Sequence, residues 1–327
     1  MIEVRTPSRV HFGLLAYDPA GRRQFGGVGL MLRRPDVSIQ LTPRDEPGFD
    51  GGGRMADRAV EFARCFAQRA VDAGLTARLP GAFIRVVRVP RPHAGLGSGT
   101  QLAMAVGRAL ATMCELDDLD AAGLAGLVGR GLRSAVGTHG CFSGGLIVDG
   151  GKGESSRVSP LVARLVFPES WRIVLVRPNE LHGISGERER QAFAKLPPIE
   201  DGLTARMCQL VLLGLLPALV ERDLDAFGES LFELQQRAGE CFKAAQGGIY
   251  AAPLLAEIVQ HVRDRGVRGV GQSSWGPTLY AIADGDEAAE DLAACLSSHF
   301  SLGRDEVVIT RADNEGSCVK VLERLTR

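Results

Sequence analysis

A β-branched run at residues 82–89 stops at Pro90, and shortly afterwards Leu102, Val106, Ala109, Leu110 and Met113 recur at helical spacing. Between them lies Pro90-Arg-Pro-His-Ala-Gly95-Leu96-Gly97-Ser98-Gly99-Thr100-Gln101. A strand that runs through small residues straight into a helix excludes an all-helical or an all-β chain. Small residues also let the backbone approach an anion, and the first amides of the helix point outward with the positive end of its dipole. That geometry suits a phosphate. Ser98 with Gln101 equally matches a capping box, which needs no ligand. Two sharper nucleotide motifs fail. None of the four lysines (152, 195, 243 and 320) stands in a G-x-x-x-x-G-K-[ST] loop, and Thr100 replaces the third glycine of a dinucleotide fingerprint.

Strands and helices alternate through the rest of the chain, which predicts an α+β or α/β fold. Residues 2–5 and 9–15 read as short strands around a break at Thr6-Pro7-Ser8, and 37–41 as another. Helices are expected over 55–73 and 123–133, with a Gly-rich turn and a strand at 146–148 following. The second half predicts helices at 202–219, 224–244, 252–265 and 286–299, and strands near 171–176, 269–271, 278–282 and 307–310. The 327 residues amount to about two domains at ~150 residues each. The boundary is expected near residue 165, giving domains 1–165 and 166–327.

Thirty-eight basic residues oppose 39 acidic ones. A duplex-binding protein carries a basic excess, so no nucleic acid partner is expected. Only four of the cations are Lys, so any anion site must be built mainly from guanidinium forks. Seven cysteines, odd in number and without a C-x-x-C pair, read as reduced thiols in a cytoplasmic protein. The N-terminus lacks the apolar core of a signal peptide. The longest apolar run, 210–220, is interrupted by Pro217, so no membrane association is expected.

Arginines gather where the anion loop would need them, at positions 5, 9, 22, 23, 33 and 34 and again at 85, 88, 91 and 108. Arg22 and Arg23 are the stronger candidates, because they follow a glycine turn beside Gly26-Gly27-Val28-Gly29. A third Gly-rich element, Gly269 to Thr278, holds Gln272, Ser273, Ser274 and Trp275 between two predicted strands. Loops carrying Trp often bind something; the competing reading is a Trp packed as a plug between domains.

Pro90-x4-Gly95-Leu96-Gly97-Ser98 resembles the second motif of the GHMP superfamily of small-molecule kinases. The resemblance implies a ribosomal-S5-like N-terminal domain and a ferredoxin-like α+β C-terminal domain, with the active site between them. Further motifs narrow the branch. Ser8-Arg9-Val10-His11-Phe12-Gly13-Leu14 leads through Asp18 and Arg23 to Phe25-Gly26-Gly27-Val28-Gly29. Arg130-Gly-Leu-Arg133-Ser134-Ala-Val-Gly137-Thr138 precedes Gly144-Gly145-Leu-Ile-Val-Asp149-Gly150, and Gly271-Gln-Ser-Ser-Trp-Gly-Pro277 stands near the end. Together these are similar to the β-ribofuranosylaminobenzene 5′-phosphate synthases, and the similarity spans almost the whole chain. Where superfamily kinases carry a second Ser that helps hold Mg²⁺, position 99 is Gly.

The resemblance implies a pentosyl transfer from phosphoribosyl pyrophosphate to 4-aminobenzoate in methanopterin synthesis, with loss of CO₂ and pyrophosphate, Mg²⁺ as partner and no organic cofactor. It also implies a homodimer. On that reading Gly95, Leu96, Gly97, Ser98, Gly99, Thr100 and Gln101, with Arg22, would hold phosphate. Asp18 would hold Mg²⁺ or face the oxocarbenium charge, with Glu187 in reserve, and Arg23 would grip an anion. Gly26, Gly27, Arg133, Ser134 and Thr138, with Gln272 to Trp275, would contact substrate. His11 is a catalytic candidate, although a His beside Phe12 on a strand reads equally well as a hydrogen-bonded core residue. An ATP-dependent small-molecule kinase is the alternative on the same fold. An RNA-binding module lacks the basic funnel and stacking platform it would need.

Overall fold

The computed structural model describes residues 1–18, 21, 23–77, 81–154, 156–183, 191–194 and 196–322. Its framework begins with β1 (Ile2–Leu14) and β2 (Gly27–Arg44), antiparallel along nearly their whole lengths. The expected break at Thr6-Pro7-Ser8 is a register shift inside one continuous strand, and a second shift lies between His11 and Gly13. A bulge tolerates Pro7, which has no N–H to offer the ladder.

The sheet continues through β3 (Phe49–Gly53), β4 (Gly81–Arg88), β5 (Leu146–Asp149) and β6 (Leu161–Leu165), and its strand order is β11-β1-β2-β4-β3. β2 pairs with β4 through residues 38–44 and with β5 through residues 27–30, where β6 extends the sheet. Strand β11 (Cys318–Val321) comes from the other end of the chain to pair with β1. Against the sheet pack α1 (Ala56–Asp72), α2 (Ser98–Met113) and α4 (Val136–Ser143), with α3 (Ala121–Leu127) packed on these helices. Phe62, Phe66, Leu102, Val106 and Leu110 close the core beneath Val4, Ile39 and Ile84.

Two expectations fail here for the same reason. The helix predicted over 123–133 ends at Leu127, because Gly129 and Gly131 take positive φ of 70° and 76°. The stretch read as a Gly-rich turn instead contains α4, whose Gly140 would drive a side chain into Met31. Glycines that serve close packing look, in sequence, like glycines that serve turns.

A second sheet, ordered β10-β7-β9-β8, is wholly antiparallel: β7 (Trp171–Val176), β8 (Val270–Gln272), β9 (Leu279–Asp284) and β10 (Val307–Thr310). With helices between its first and second and its third and fourth strands, this is the 4-1-3-2 order of a split βαβ unit. The helices are α5 (Asp201–Leu210), continued by a π-helical turn (Val211–Leu215) and α6 (Leu216–Glu221), then α7 (Leu224–Gln246), α8 (Pro253–Asp264) and α9 (Gly285–His299). The run Asp201–Glu221 is 21 residues with a mean hydropathy of 1.8, long and apolar enough by composition to cross a membrane. Pro217, which interrupts the apolar run 210–220 in the sequence, is accommodated at the start of α6. Met207, Leu210 and Leu215 are buried, whereas Leu212, Leu213 and Val220 are exposed.

Gln235 on α7 joins the two sheets. Its Nε2 donates to the Phe12 carbonyl of β1, and its Oε1 accepts from the Gln272 amide of β8 at 2.6 Å. Both backbone groups lie in the interior, where an unmade hydrogen bond costs ~1–3 kcal/mol each. Gln235→Met keeps the length and removes both bonds, so urea unfolding is expected to show a loss of about 2–5 kcal/mol. A loss below about 0.5 kcal/mol would mean that neither group depends on Gln235.

Candidate active site

A cleft of about 430 Å³ opens where β1, the glycine loop and the β8–β9 loop meet. Residues 9–13 of β1 form its floor and are fastened on both sides. Toward the glycine loop, the Arg9 amide donates to the Leu96 carbonyl at 3.1 Å and Arg9 Nη1 to the Gly95 carbonyl at 2.7 Å. Toward the β8–β9 loop, the His11 amide donates to Ser273 Oγ at 2.9 Å, and that hydroxyl donates on to the Gly95 carbonyl at 2.7 Å. Ser273 is fully buried: it locks the two loops together and does not line the cleft.

Gly95 to Thr100 line the cleft, and α2 opens from Gly97, which has φ of 71°. No side chain caps this helix, so the capping box does not form. Gln101 is buried instead, with Nε2 donating to the Gly137 carbonyl at 2.7 Å. The orphan amides of the first turn therefore face the same space as the arginines. Four arginines line it: Arg9, Arg58, Arg130 and Arg133. The sequence reading singled out only Arg133 for the site. Arg130 is quoted in a motif but given no role, and Arg58 has no local signature, because the packing of α1 on α2 brings it in.

Another part of the wall is aromatic. The Trp275 ring is 4.6 Å from Phe242 and 5.3 Å from Phe193, and the Arg133 guanidinium lies 3.9 Å over Phe193. Trp275 is therefore packed against neighbours and also part of the cleft wall. Gln272 and Ser274 line the same wall. The Gln272 side chain is held by its own loop, donating to the Ser274 carbonyl at 3.1 Å and accepting from the Ala251 amide at 2.8 Å.

Between the two halves stands a buried chain of polar groups. Ser134 Oγ donates to Asp149 Oδ2 at 2.7 Å, and the Ala135 and Gly151 amides donate to the same carboxylate at 2.9 and 3.2 Å. Burial pushes the Asp149 carboxyl upward, while these hydrogen bonds pull it back. Because the Ser134 proton goes to Asp149, its oxygen accepts from His11 Nε2, 3.0 Å away, which assigns the Nε2–H tautomer. Burial first, and the Arg9 charge second, push His11 down to about 3, so it is a neutral imidazole at pH 7. Gly27 backs this chain: a Cβ there would lie 2.7 Å from Ser134 Oγ and 2.9 Å from His11 Nε2.

Of the remaining expected residues, those that are described fall elsewhere. Gly26 packs against the Asp149–Gly151 backbone, and Thr138 is buried; neither lines the cleft. Arg23 is exposed and donates to the Gly151 carbonyl at 2.9 Å, steadying the turn after Asp149. Asp18, on the loop after β1, does not line the cleft. Arg22 and Glu187 lie outside the described residues. Mg²⁺ usually takes one or two carboxylates along with substrate phosphates. Among the described residues no Asp or Glu lines the cleft, and no group of three His, Cys, Asp or Glu is placed to hold a metal. Those residues do not make a protein-held Mg²⁺ site.

Comparison with known proteins agrees with this architecture. Residues 57–145 match the GHMP kinases N terminal domain and residues 215–302 the GHMP kinases C terminal domain. A protein of Archaeoglobus fulgidus named β-ribofuranosylphenol 5′-phosphate synthase is 35% identical, over 98% of this chain and 100% of its own. A protein of the same name from Methanothermobacter thermautotrophicus is 32% identical, over 96% and 97%. The chain belongs to this synthase family. Among solved structures, homoserine kinase from Cytophaga hutchinsonii superposes with a TM-score of 0.70 at 18% identity, covering 98% of this chain and 97% of that one. Mevalonate diphosphate decarboxylase from Staphylococcus aureus gives 0.69 at 13%, covering 98% and 99%. These two likenesses establish the GHMP fold. The family membership makes the chain an enzyme of the β-ribofuranosyl 5′-phosphate synthase type.

A neutral His11 has a measurable consequence. Its pKa in the folded state lies below the unfolded value of about 6.5, so its contribution to stability is present above that pH. It is lost as pH falls toward about 3. NMR of the imidazole is expected to show no titration between pH 8 and pH 5, and a midpoint near 6.5 would contradict the buried, donating His11.

Proposed function

We propose that this cleft joins phosphoribosyl pyrophosphate to a benzoate carrying an electron-donating para group, with release of CO₂ and diphosphate. The observation that carries the reading is the division of the cleft into a glycine-and-arginine half and an aromatic half. The first suits a diphosphate and the second a flat ring. The names of the relatives support a ribosylated phenol as product, which favours 4-hydroxybenzoate; the motif resemblance favours 4-aminobenzoate. The two acids share ring and carboxylate, so both would fit the same wall.

The chemistry follows from the parts. As the bond from ribose C1 to the diphosphate lengthens, positive charge develops on C1 and the ring oxygen. Negative charge develops on the departing group, where the loop amides and guanidiniums stabilise it. The ring carbon that bears the carboxylate supplies the electron pair for the new bond to C1. Its carboxylate leaves as CO₂, and that bonding pair restores aromaticity. No ring proton has to be removed, so positioning and electrostatics dominate over strong acid–base catalysis. The His11–Ser134–Asp149 chain lies at the junction of the two halves. Through it the buried Asp149 charge would stabilise the cationic ribose, with neutral His11 as the group nearest substrate.

The test is release of labelled CO₂ from carboxyl-labelled 4-hydroxybenzoate and 4-aminobenzoate, each with phosphoribosyl pyrophosphate. One acid is expected to give release that depends on both substrates. His11→Phe is expected to lower kcat by about 10²-fold, and Trp275→Ala to act mainly on KM for the acid. No release from either acid, together with ATP-dependent phosphorylation of a small alcohol, would overturn the reading in favour of a kinase.

A further inference from the structure

Two of the cleft arginines share a mounting that the others do not. Arg58 projects from α1 and Arg130 from the segment after α3, yet both guanidiniums lie over the same Phe62 ring, at 5.7 and 4.8 Å from its centroid. Phe62 is a core residue, 9% exposed, so its ring is fixed by packing. Arg130 Nη2 also donates to the Gly99 carbonyl at 3.2 Å, on the first turn of α2. Gly99 leaves the space between them open. A Cβ there would stand 3.3 Å from Arg130 Nη2 and 3.8 Å from Arg58 Nη2, and any longer side chain would occupy the approach to both.

We propose that Arg58 and Arg130, mounted on Phe62 across the side-chain-free Gly99, clamp the leaving diphosphate and stabilise its charge as the C1–O bond breaks. The inference rests on the synthase reading and names the groups that act at one end of its reaction. Arg9 is committed to the Gly95 carbonyl at 2.7 Å, and Arg133 lies over Phe193 on the aromatic side. Arg9 also borders the start of α2, beside Gly97, but Arg58 and Arg130 are the two cations mounted on Phe62 that flank Gly99. When the C1–O bond breaks heterolytically, its electron pair leaves with the diphosphate oxygen, and that group gains one unit of negative charge. Two planar forks and the helix amides meet this charge without reorganising, because Phe62 already holds the forks in place. The described cleft residues include no carboxylate to seat a metal of their own, so positive charge from the clamp would meet the leaving group directly.

The experiment uses inorganic diphosphate as probe, with calorimetric titration of the full chain and product inhibition read in parallel. Arg58→Met and Arg130→Met keep an unbranched chain over Phe62 while removing the fork. Each is expected to weaken diphosphate binding at least tenfold and to lower kcat/KM for phosphoribosyl pyrophosphate about 10²-fold, with KM for the aryl acid unchanged. Gly99→Val leaves both arginines in place and is expected to show the same loss of diphosphate affinity. Added guanidinium ion is expected to restore part of the activity of Arg130→Ala, which a purely structural role would not produce. Wild-type affinity for diphosphate in all three variants overturns the clamp, as does failure of the wild-type chain to bind diphosphate. Diphosphate binding that is lost in the variants, with no CO₂ released from either acid by the wild type, would uphold the clamp and defeat the synthase reading instead.

Discussion

Everything at the site depends on the middle of β1 being held from two sides at once. Ser273 Oγ accepts from the His11 amide and donates to the Gly95 carbonyl, so a single buried hydroxyl ties the strand, the glycine loop and the β8–β9 loop into one unit. Gln235 repeats the device one step along, joining Phe12 to Gln272. Strand β1 belongs to one sheet and β8 to the other, and buried hydrogen bonds of this kind are costly to leave unmade. The position of the glycine loop relative to Trp275 is therefore set by the interior, and the cleft is shaped before any ligand arrives.

That preorganisation explains why the two halves of the cleft differ so sharply. The glycine loop brings backbone amides to one side, and the packing of α1 and α3 on α2 brings Arg58 and Arg130 to the same place. The β8–β9 loop brings Trp275 into the wall, where it meets Phe242 of α7 and Phe193. A substrate with an anionic leaving group and a partner with a flat ring would each find one wall, and the polar chain from His11 to Asp149 stands where they meet. The chemistry asked of such a site is positioning and charge stabilisation, both of which a rigid cleft supplies.

Much of this was legible in the sequence, and what was not has a physical reason. The Gly95–Thr100 loop could be placed between strand and helix because apolar period and glycine content change sharply there. The strands and helices of the second sheet could be placed from their alternation, whereas its ferredoxin-like arrangement was implied only by the motif resemblance. Ser134 was found through motif resemblance and Trp275 as a Trp on a Gly-rich loop between two strands, and both line the cleft. Asp149 was quoted in a motif but given no role, because its function depends on Ser134 standing 2.7 Å away, fifteen residues earlier in the chain. Arg58 and Phe62 sit four residues apart on an amphipathic helix and read as ordinary surface and core. Only tertiary packing turns that pair into a mounted cation. Asp18 was assigned through the motif resemblance and Arg23 through its place beside glycines; in the structure Arg23 donates to the Gly151 carbonyl and Asp18 stands outside the cleft lining.

The central claim is that one cleft holds a diphosphate on its arginine side and an aryl acid on its aromatic side at the same time. The most direct measurement is a crystal structure of the chain with inorganic diphosphate and the aryl acid both bound. The account predicts diphosphate oxygens within hydrogen-bond distance of the first amides of α2, and the ring against Trp275 with its carboxylate-bearing carbon turned toward His11. A ring found on the glycine loop, or a diphosphate found away from it, would contradict the account.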